Sequence, residues 1–260
     1  AGSFGLIQAV IVVTVVWYFA FWISRKMKVD DEFSTMLASA VSICGVSAAI
    51  ATAGAINGDK KKLSFIISLV LIIAIPMMIF LPIIAKWMGL SEIVTGAWLG
   101  GTIDTTGAVV AAGTIAGETG LKYATIVKFS QNVLLGLAAF AISIFWAYRK
   151  RGANEKGQHV PARIIWDRFP KFVLGFILAS LVFSFILNPE TAQSSGKVIK
   201  SFSTFWFNLA FISIGLETRF ADFRHMESKK PFYSFLIAQT FNIIFTLGIS
   251  YLLFQMLSPK

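Results

Sequence analysis

The sequence predicts an all-α, polytopic membrane protein with an inverted-repeat secondary-transporter core and interrupted helices near the midplane. Three observations carry this: long apolar runs, basic residues gathered between those runs, and two small-residue segments that resemble each other. Of the 260 residues, 56% are hydrophobic and only 14% charged, and the mean hydropathy is +0.74. A soluble domain carries about a quarter charged residues. The runs are Phe4–Ser24, Leu63–Ala85, Tyr123–Tyr148, Phe172–Leu187, Ser201–Leu216 and Phe232–Met256. Most have the length needed to cross a hydrocarbon core of roughly 30 Å as a helix. A β-barrel would show short alternating segments instead. Residues 1–260 read as a single transmembrane domain.

The formal charge of +10 raises the question of nucleic acid. Its distribution argues against it. Lys and Arg cluster at Arg25/Lys26/Lys28, at Lys60–Lys62, between Arg149 and Lys171, and at Arg219/Arg224/Lys229/Lys230. This is the pattern of cytoplasmic loops under the positive-inside rule. No basic stretch is interleaved with aromatics as a groove for single strands would be. The one cysteine, Cys44, excludes an intrachain disulfide. The opening "AGSFGLIQ" lacks a basic n-region and does not read as a signal peptide; it reads as an internal start.

Two segments break the simple spanning picture: "SAVSICGVSAAIATAGAING", Ser39 to Gly58, and "GGTIDTTGAVVAAGTIAGETG", Gly100 to Gly120. Both are dominated by Ala, Gly, Ser and Thr. At an offset of 60 residues, Ser42-Ile43-Cys44 meets Thr102-Ile103-Asp104, and Ala48-Ala49-Ile50-Ala51 meets Ala108-Val109-Val110-Ala111. Phe65-Ile66-Ile67 then meets Thr125-Ile126-Val127. The expectation is a repeated unit, a small-residue segment followed by a long apolar helix. Loop charge gives an independent clue. If every apolar run spans, Lys60–Lys62 falls outside. If 33–57 and 92–117 each enter and leave on one side, all four basic clusters fall inside, seventeen of the 23 Lys and Arg. The first element then opens from inside and the second from outside, an inverted-topology arrangement common in secondary transporters. The alternative is two unwound but fully spanning helices.

Either geometry accounts for the polar residues. Non-helical backbone at membrane depth is tolerated only when buried in protein or lining a water-filled cavity. Gly100, Gly101, Gly107 and Gly113 weaken a helix, each by roughly 1 kcal/mol relative to Ala. Free N–H groups at the start of a half-helix form a site for an anion. Ser42, Ser47, Thr102, Thr105 and Thr106 add neutral donors beside it. A charged Asp104 costs about 3 kcal/mol at bilayer depth, so it should be protonated, paired or facing water. Such a carboxyl suits a proton carrier or a cation ligand. As a helix N-cap, the alternative role, Asp is equally favoured.

"SICGVSAAIATA", "GGTIDTTGAVVAAG", "ATIVKFSQNVLLG" and "FWFNLAFISIGLETRF" resemble, in that order, signature segments of the YeiH-type sulfate-exporter family of bacterial inner-membrane proteins. The resemblance runs through nearly the whole chain. It implies a fold related to sodium/proton antiporters and bile-acid symporters, with discontinuous helices meeting near the midplane. It also implies export of sulfate or a sulfonate-derived anion, residence in the bacterial inner membrane, and N-terminal helices beyond those present here. Cys44, Gly45, Thr102 and Lys128 match the family. The chain departs from it where the family has His-Glu at Asp104-Thr105, Gln at Ala108, Arg at Gln131 and Thr-Glu-Pro at Thr52-Ala53-Gly54. The role of Asp104 therefore rests on its position and cost alone.

The expected substrate site comprises Ser42, Cys44, Gly45, Ser47, Thr102, Asp104, Thr105, Thr106, Gly107 and Lys128, with Asn208 and Ser213 from "WFNLAFISIG". Each has a structural alternative. Lys128, about five residues into its apolar run, could snorkel to the interface. Cys44 reads first as a small buried residue, and Asn208 and Ser213 could bridge helices. Glu217 and Arg219 read as a solvated helix end, His159 and His225 as loop residues, and Pro76 as a kink. Trp17, Tyr18, Trp22, Trp87, Trp146 and Tyr148 read as interfacial belts. No G-x-S-x-G, H-E-x-x-H or phosphate loop is present. The expectation is thus a carrier, not an enzyme, with no cofactor and no metal. Its partners are a small anion, the lipid bilayer and a coupling proton or sodium ion; a homodimer is left open. An anion channel, a membrane scaffold and an intramembrane hydrolase are the competing classes.

Overall fold

The computed structural model describes residues 2–151 and 229–256, with isolated positions between 178 and 212. Asn208, Ser213, Glu217, Arg219, His159, His225 and most of the 149–171 and 218–230 loops lie outside the described residues. The described chain is helical: α1 Gly2–Lys26, α2 Asp31–Ser39, α3 Val46–Ile56, α4 Lys60–Trp87, α5 Glu92–Thr102, α6 Thr106–Ala116, α7 Glu118–Arg151 and α8 Lys230–Tyr251. A π turn, Ala40–Cys44, continues α2, and another, Leu252–Met256, continues α8. No strand occurs among the described residues. Four segments are long and apolar enough to cross a membrane: α1, α4, the first 29 residues of α7, and α8 with its π turn.

Local chemistry sets the helix boundaries. Asp30 caps α2 by accepting from the Phe33 N–H at 3.0 Å. Asp59 caps α4 by accepting from the N–H groups of Lys61 and Lys62 at 2.7 and 3.1 Å. Ser91 caps α5 through the Val94 N–H. Pro76 and Pro82 lie inside α4, which stays helical through both.

The four short helices form two helical hairpins. At the mouth of the first, the Lys62 ammonium pairs with Asp30 at 2.8 Å and Glu32 at 2.9 Å, and the Asp59 N–H donates to Glu32. The start of α2 and the end of α3 thus share one end of the bundle. At the mouth of the second, a Cβ on Gly117 would stand 2.7 Å from the Glu92 carboxyl, so the start of α5 meets the end of α6. The spanning alternative for 33–57 and 92–117 is overturned by these contacts. Helices α3, α5 and α6 have 11 residues each, about 16 Å, roughly half a hydrocarbon core.

The hairpins open at opposite ends of α4, whose 28 residues separate their mouths by about 42 Å of helix. The other spans fit this frame. Arg25 of α1 pairs with Asp31 at 2.6 Å, which puts the end of α1 at the first mouth. Helix α8 ends at the opposite mouth, where Gln255 meets Ser91 and Phe254 meets Phe4. Lys26, Lys60–Lys62, the end of α7 and Lys230 therefore lie at one end.

The core is held by small residues as much as large ones. A Cβ on Gly96 or Gly100 of α5 would collide with the carbonyl oxygens of Gly120 and Ala124 on α7. This is the small-xxx-small contact of membrane helices, in which backbones approach where side chains are absent. Trp98, on the same helix, is fully buried and donates its indole N–H to the Ile243 carbonyl of α8 at 2.9 Å. One of the aromatics expected at the interface lies inside instead, and a second is half-buried. Trp146 is buried, and Trp17 donates to the Ser39 hydroxyl at 3.1 Å. Tyr18, Trp22 and Trp87 are exposed, as an interfacial belt requires.

Candidate functional site

The two hairpin tips meet. In the first, Gly45 takes φ +58 and ψ −108, a left-handed conformation suited to glycine, and ends the π turn with its N–H on the Ala40 carbonyl. In the second, Ile103 and Thr105 are extended, and the chain is non-helical for residues 103–105. A Cβ on Gly45 would stand 3.0 Å from the Asp104 Cβ and 3.2 Å from the Asp104 carbonyl oxygen. The absence of a side chain at Gly45 is what allows this approach.

Each tip presents two kinds of backbone group. The carbonyls ending the first half-helix of each hairpin turn toward α7 and α8. The Lys128 ammonium donates to the Ile43 carbonyl at 2.7 Å, the Ile103 carbonyl at 2.9 Å and the Gln131 Oε1 at 3.1 Å. One cation thus joins both tips. Asn242 repeats the pattern, with its Nδ2 3.1 Å from the Val41 carbonyl and 3.3 Å from that of Thr102. The Thr246 hydroxyl donates to the Asn242 Oδ1 at 2.8 Å and fixes its orientation. Gln131 donates to the Gly101 carbonyl, and Gln239 to that of Thr102. The negative ends of two helix dipoles are therefore met by one charge and three amides.

The N–H groups opening α3 and α6 meet no charge or amide; at α3 the Ala48 N–H and the Ser47 hydroxyl turn to the Cys44 sulfur. Neither helix has a side-chain cap, in contrast to α2, α4 and α5. Ser47 and Gly107, beside these N-termini, are exposed, and Thr106 is half-buried. Asp104 is buried between the tips, and its Oδ2 has no hydrogen-bond partner. Ser42 Oγ and Thr102 Oγ1 are likewise buried without partners. Cys44 is a buried free thiol, and Thr105 is buried at the N-cap position of α6.

Two structural alternatives from the sequence do not survive. Lys128 does not snorkel: α7 begins at Glu118, so Lys128 lies about 15 Å into it, 1% exposed and hydrogen-bonded to backbone. Asp104 does not cap α6: Thr105 holds that position, and no side chain caps the helix. Gln8, Gln131, Asn132, Gln239, Asn242 and Thr246 were missed as members of this polar centre. Their signal was present, since each is a polar side chain within a long apolar helix. No group of three or more His, Cys, Asp or Glu that could hold a metal ion occurs among the described residues.

The first hairpin mouth is also electrostatically organised. Burial pushes the Asp30 carboxyl up, but the Lys62 hydrogen bond, the Phe33 N–H and the Lys62 charge outweigh it and hold it below the usual carboxylate range. Exposed Asp59 is held below that range by the N–H groups of Lys62 and Lys61.

Residues 1–234 match the family model described as conserved hypothetical protein 698. A UPF0324 membrane protein of Nitratidesulfovibrio vulgaris is 39% identical over 98% of this chain and 46% of its own length. Another, from Rhodopirellula baltica, is 40% identical over 96% of this chain and 48% of its own. A more distant one, from Lactiplantibacillus plantarum, is 27% identical over 98% of this chain and 75% of its own. The chain spans about half the length of the first two relatives. These names state a membrane protein and no substrate. No solved structure matches.

Proposed function

The chain belongs to the family described as conserved hypothetical protein 698, and from that premise we propose that it is the core of a secondary transporter for a small anion such as sulfate or a sulfonate. One observation carries the reading: two re-entrant tips meet in the interior with the uncapped N-termini of α3 and α6 beside a buried carboxyl. Helix N-termini bind anions through their free N–H groups and dipole. Half-helix N-termini aimed at anionic substrates recur in secondary transporters.

The two hairpins act as an inverted-topology pair. Each precedes a long span, α4 or α7, and they open at opposite ends. The 60-residue register aligns their breaks, Cys44-Gly45 with Asp104-Thr105. The basic end is cytoplasmic, in a bacterial inner membrane. Ser42, Ser47, Thr102, Thr105 and Thr106 supply hydroxyls, and Asp104 carries the coupling proton. The protein is a carrier, with no bond made or broken in its substrate.

Counterflow in proteoliposomes tests this. Internal unlabelled anion should drive saturable uptake of the labelled anion. Flux that rises linearly with concentration and shows no counterflow would establish a channel instead. No anion flux at all would leave a scaffold.

A further inference from the structure

Among the described residues only two charged side chains are buried, Asp104 and Lys128. They form no ion pair within 4.0 Å of each other. The two opposite charges still attract across the tips, and each also meets helix ends. The three N–H donors of Lys128 are engaged by Ile43, Ile103 and Gln131. Two of these acceptors end the first half-helices of the two hairpins. A helix C-terminus carries roughly half a negative charge, so the two together balance one ammonium. Asp104 stands at the opposite kind of end. It is two residues before the start of α6, and its Cβ is 3.0 Å from where a Gly45 Cβ would be, at the start of α3. Two N-termini at roughly half a positive charge each balance one carboxylate.

The tips are therefore close to neutral when Asp104 is ionised, and no cation is left over for an incoming anion. The Asp104 Oδ2 is without a donor at 2% exposure, and Ser42 Oγ and Thr102 Oγ1 of the same two tips are buried and unpartnered. We propose that the site takes a singly charged anion together with a proton on Asp104, the two moving as a neutral pair. This rests on the carrier reading above and narrows its anion to the sulfonate. The proton comes from the bulk solution to the Asp104 carboxylate, and the anion takes over the balancing charge that the carboxylate supplied. A dianion brings a second charge with no counter-charge, because the donors of Lys128 are already engaged.

The groups facing Asp104 leave this intact. The first tip contributes the Cys44 thiol, α7 contributes Lys128, and α8 contributes Gln239. Of these only Cys44 and Lys128 titrate.

Calorimetric titration of the full-length protein tests the proposal, using methanesulfonate as the single-charge probe and sulfate as the double-charge probe, in buffers of differing ionisation enthalpy. Binding of methanesulfonate should take up close to one proton, and its affinity should fall by up to tenfold per pH unit above the pH where uptake begins. Sulfate should bind at least tenfold more weakly. In Asp104→Asn, methanesulfonate affinity should lose its pH dependence and its proton uptake. Sulfate binding more tightly than methanesulfonate, or methanesulfonate binding without proton uptake at any pH, overturns the pairing and leaves the carrier reading standing. Absence of binding by both probes, together with absence of counterflow, overturns both. Should Asp104→Asn fail to fold, the proton count on the unmodified protein still decides.

Discussion

The two hairpins reach the same shape by different chemistry. The first is closed at its mouth by charge: Lys62 joins Asp30 and Glu32, and Asp59 caps the next helix while its N–H donates to Glu32. The second is closed by the absence of side chains. Gly117 leaves room for the Glu92 carboxyl, and Gly96 and Gly100 let α5 approach the backbone of α7. Their tips differ as well. A single left-handed glycine turns the first, while three non-helical residues turn the second and carry the carboxyl. The comparison teaches that glycine-rich sequence in a membrane protein need not signal flexibility. In the second hairpin it signals close backbone packing.

Substitutions can break this comparison, and the largest effect belongs to the packed hairpin. Gly100→Val drives a branched side chain into the Ala124 carbonyl, which has no room to retreat. Overpacking typically costs 1–3 kcal/mol and more when backbone must move. A loss of about 3 kcal/mol or more is expected, read as absence of a monodisperse folded protein on size exclusion.

Lys128→Met comes next. It removes the donor shared by the Ile43 and Ile103 carbonyls and by Gln131. Buried acceptors left without donors cost about 1–3 kcal/mol. Thermal unfolding should report a loss of about 2 kcal/mol or more; an unchanged midpoint would contradict the role of Lys128 as the tie between tips.

Gly45→Ala strains a left-handed backbone and puts a methyl 2.7 Å from Val70 Cγ1 and 3.0 Å from Asp104 Cβ. The expected loss is about 2 kcal/mol. Its diagnostic is spatial, since the two tips must separate. Distances between spin labels placed on α3 and α6 should lengthen.

The smallest effect belongs to the charged latch. Lys62→Ala should cost no more than about 1 kcal/mol, because the pairs at this mouth are partly solvated. Its pH signature is directional. The Asp30 carboxyl is held below the usual range, so its contribution is fully present above its unfolded value and is lost as pH falls through the folded one. Acid titration of the unmodified protein should lose a small stability increment below about pH 4, and Lys62→Ala should flatten that loss. An equal acid loss in both proteins would remove Lys62 from the latch.

Much of this arrangement was legible in the sequence, for identifiable reasons. Four of the six apolar runs are long apolar helices, while Phe172–Leu187 and Ser201–Leu216 lie mostly outside the described residues; the basic cluster at Lys60–Lys62 pointed to hairpin geometry because a spanning segment would strand three lysines on the wrong side. The offset of 60 residues located both breaks. What was hidden was which end of each half-helix a residue faces. Lys128 looked as suited to an anion as to a carbonyl, because spacing alone does not say which terminus lies opposite. Asn242, Gln239 and Gln131 were missed because a neutral amide in a long apolar helix stands out less than a charge or a run of small residues. Asn208 and Ser213 were noticed by the same logic and lie outside the described residues.

The central claim is that the two hairpins open at opposite ends of the bundle, the first among the basic clusters. Single cysteines at exposed positions beside the two mouths, Lys61→Cys and Glu118→Cys in a Cys44→Ser background, test it directly in oriented membranes with an impermeant thiol reagent. The cysteine at position 61 should label only from the cytoplasmic side and that at position 118 only from the outer side. Labelling of both from one face, or of position 61 from outside, would contradict the two-hairpin architecture and the site built on it.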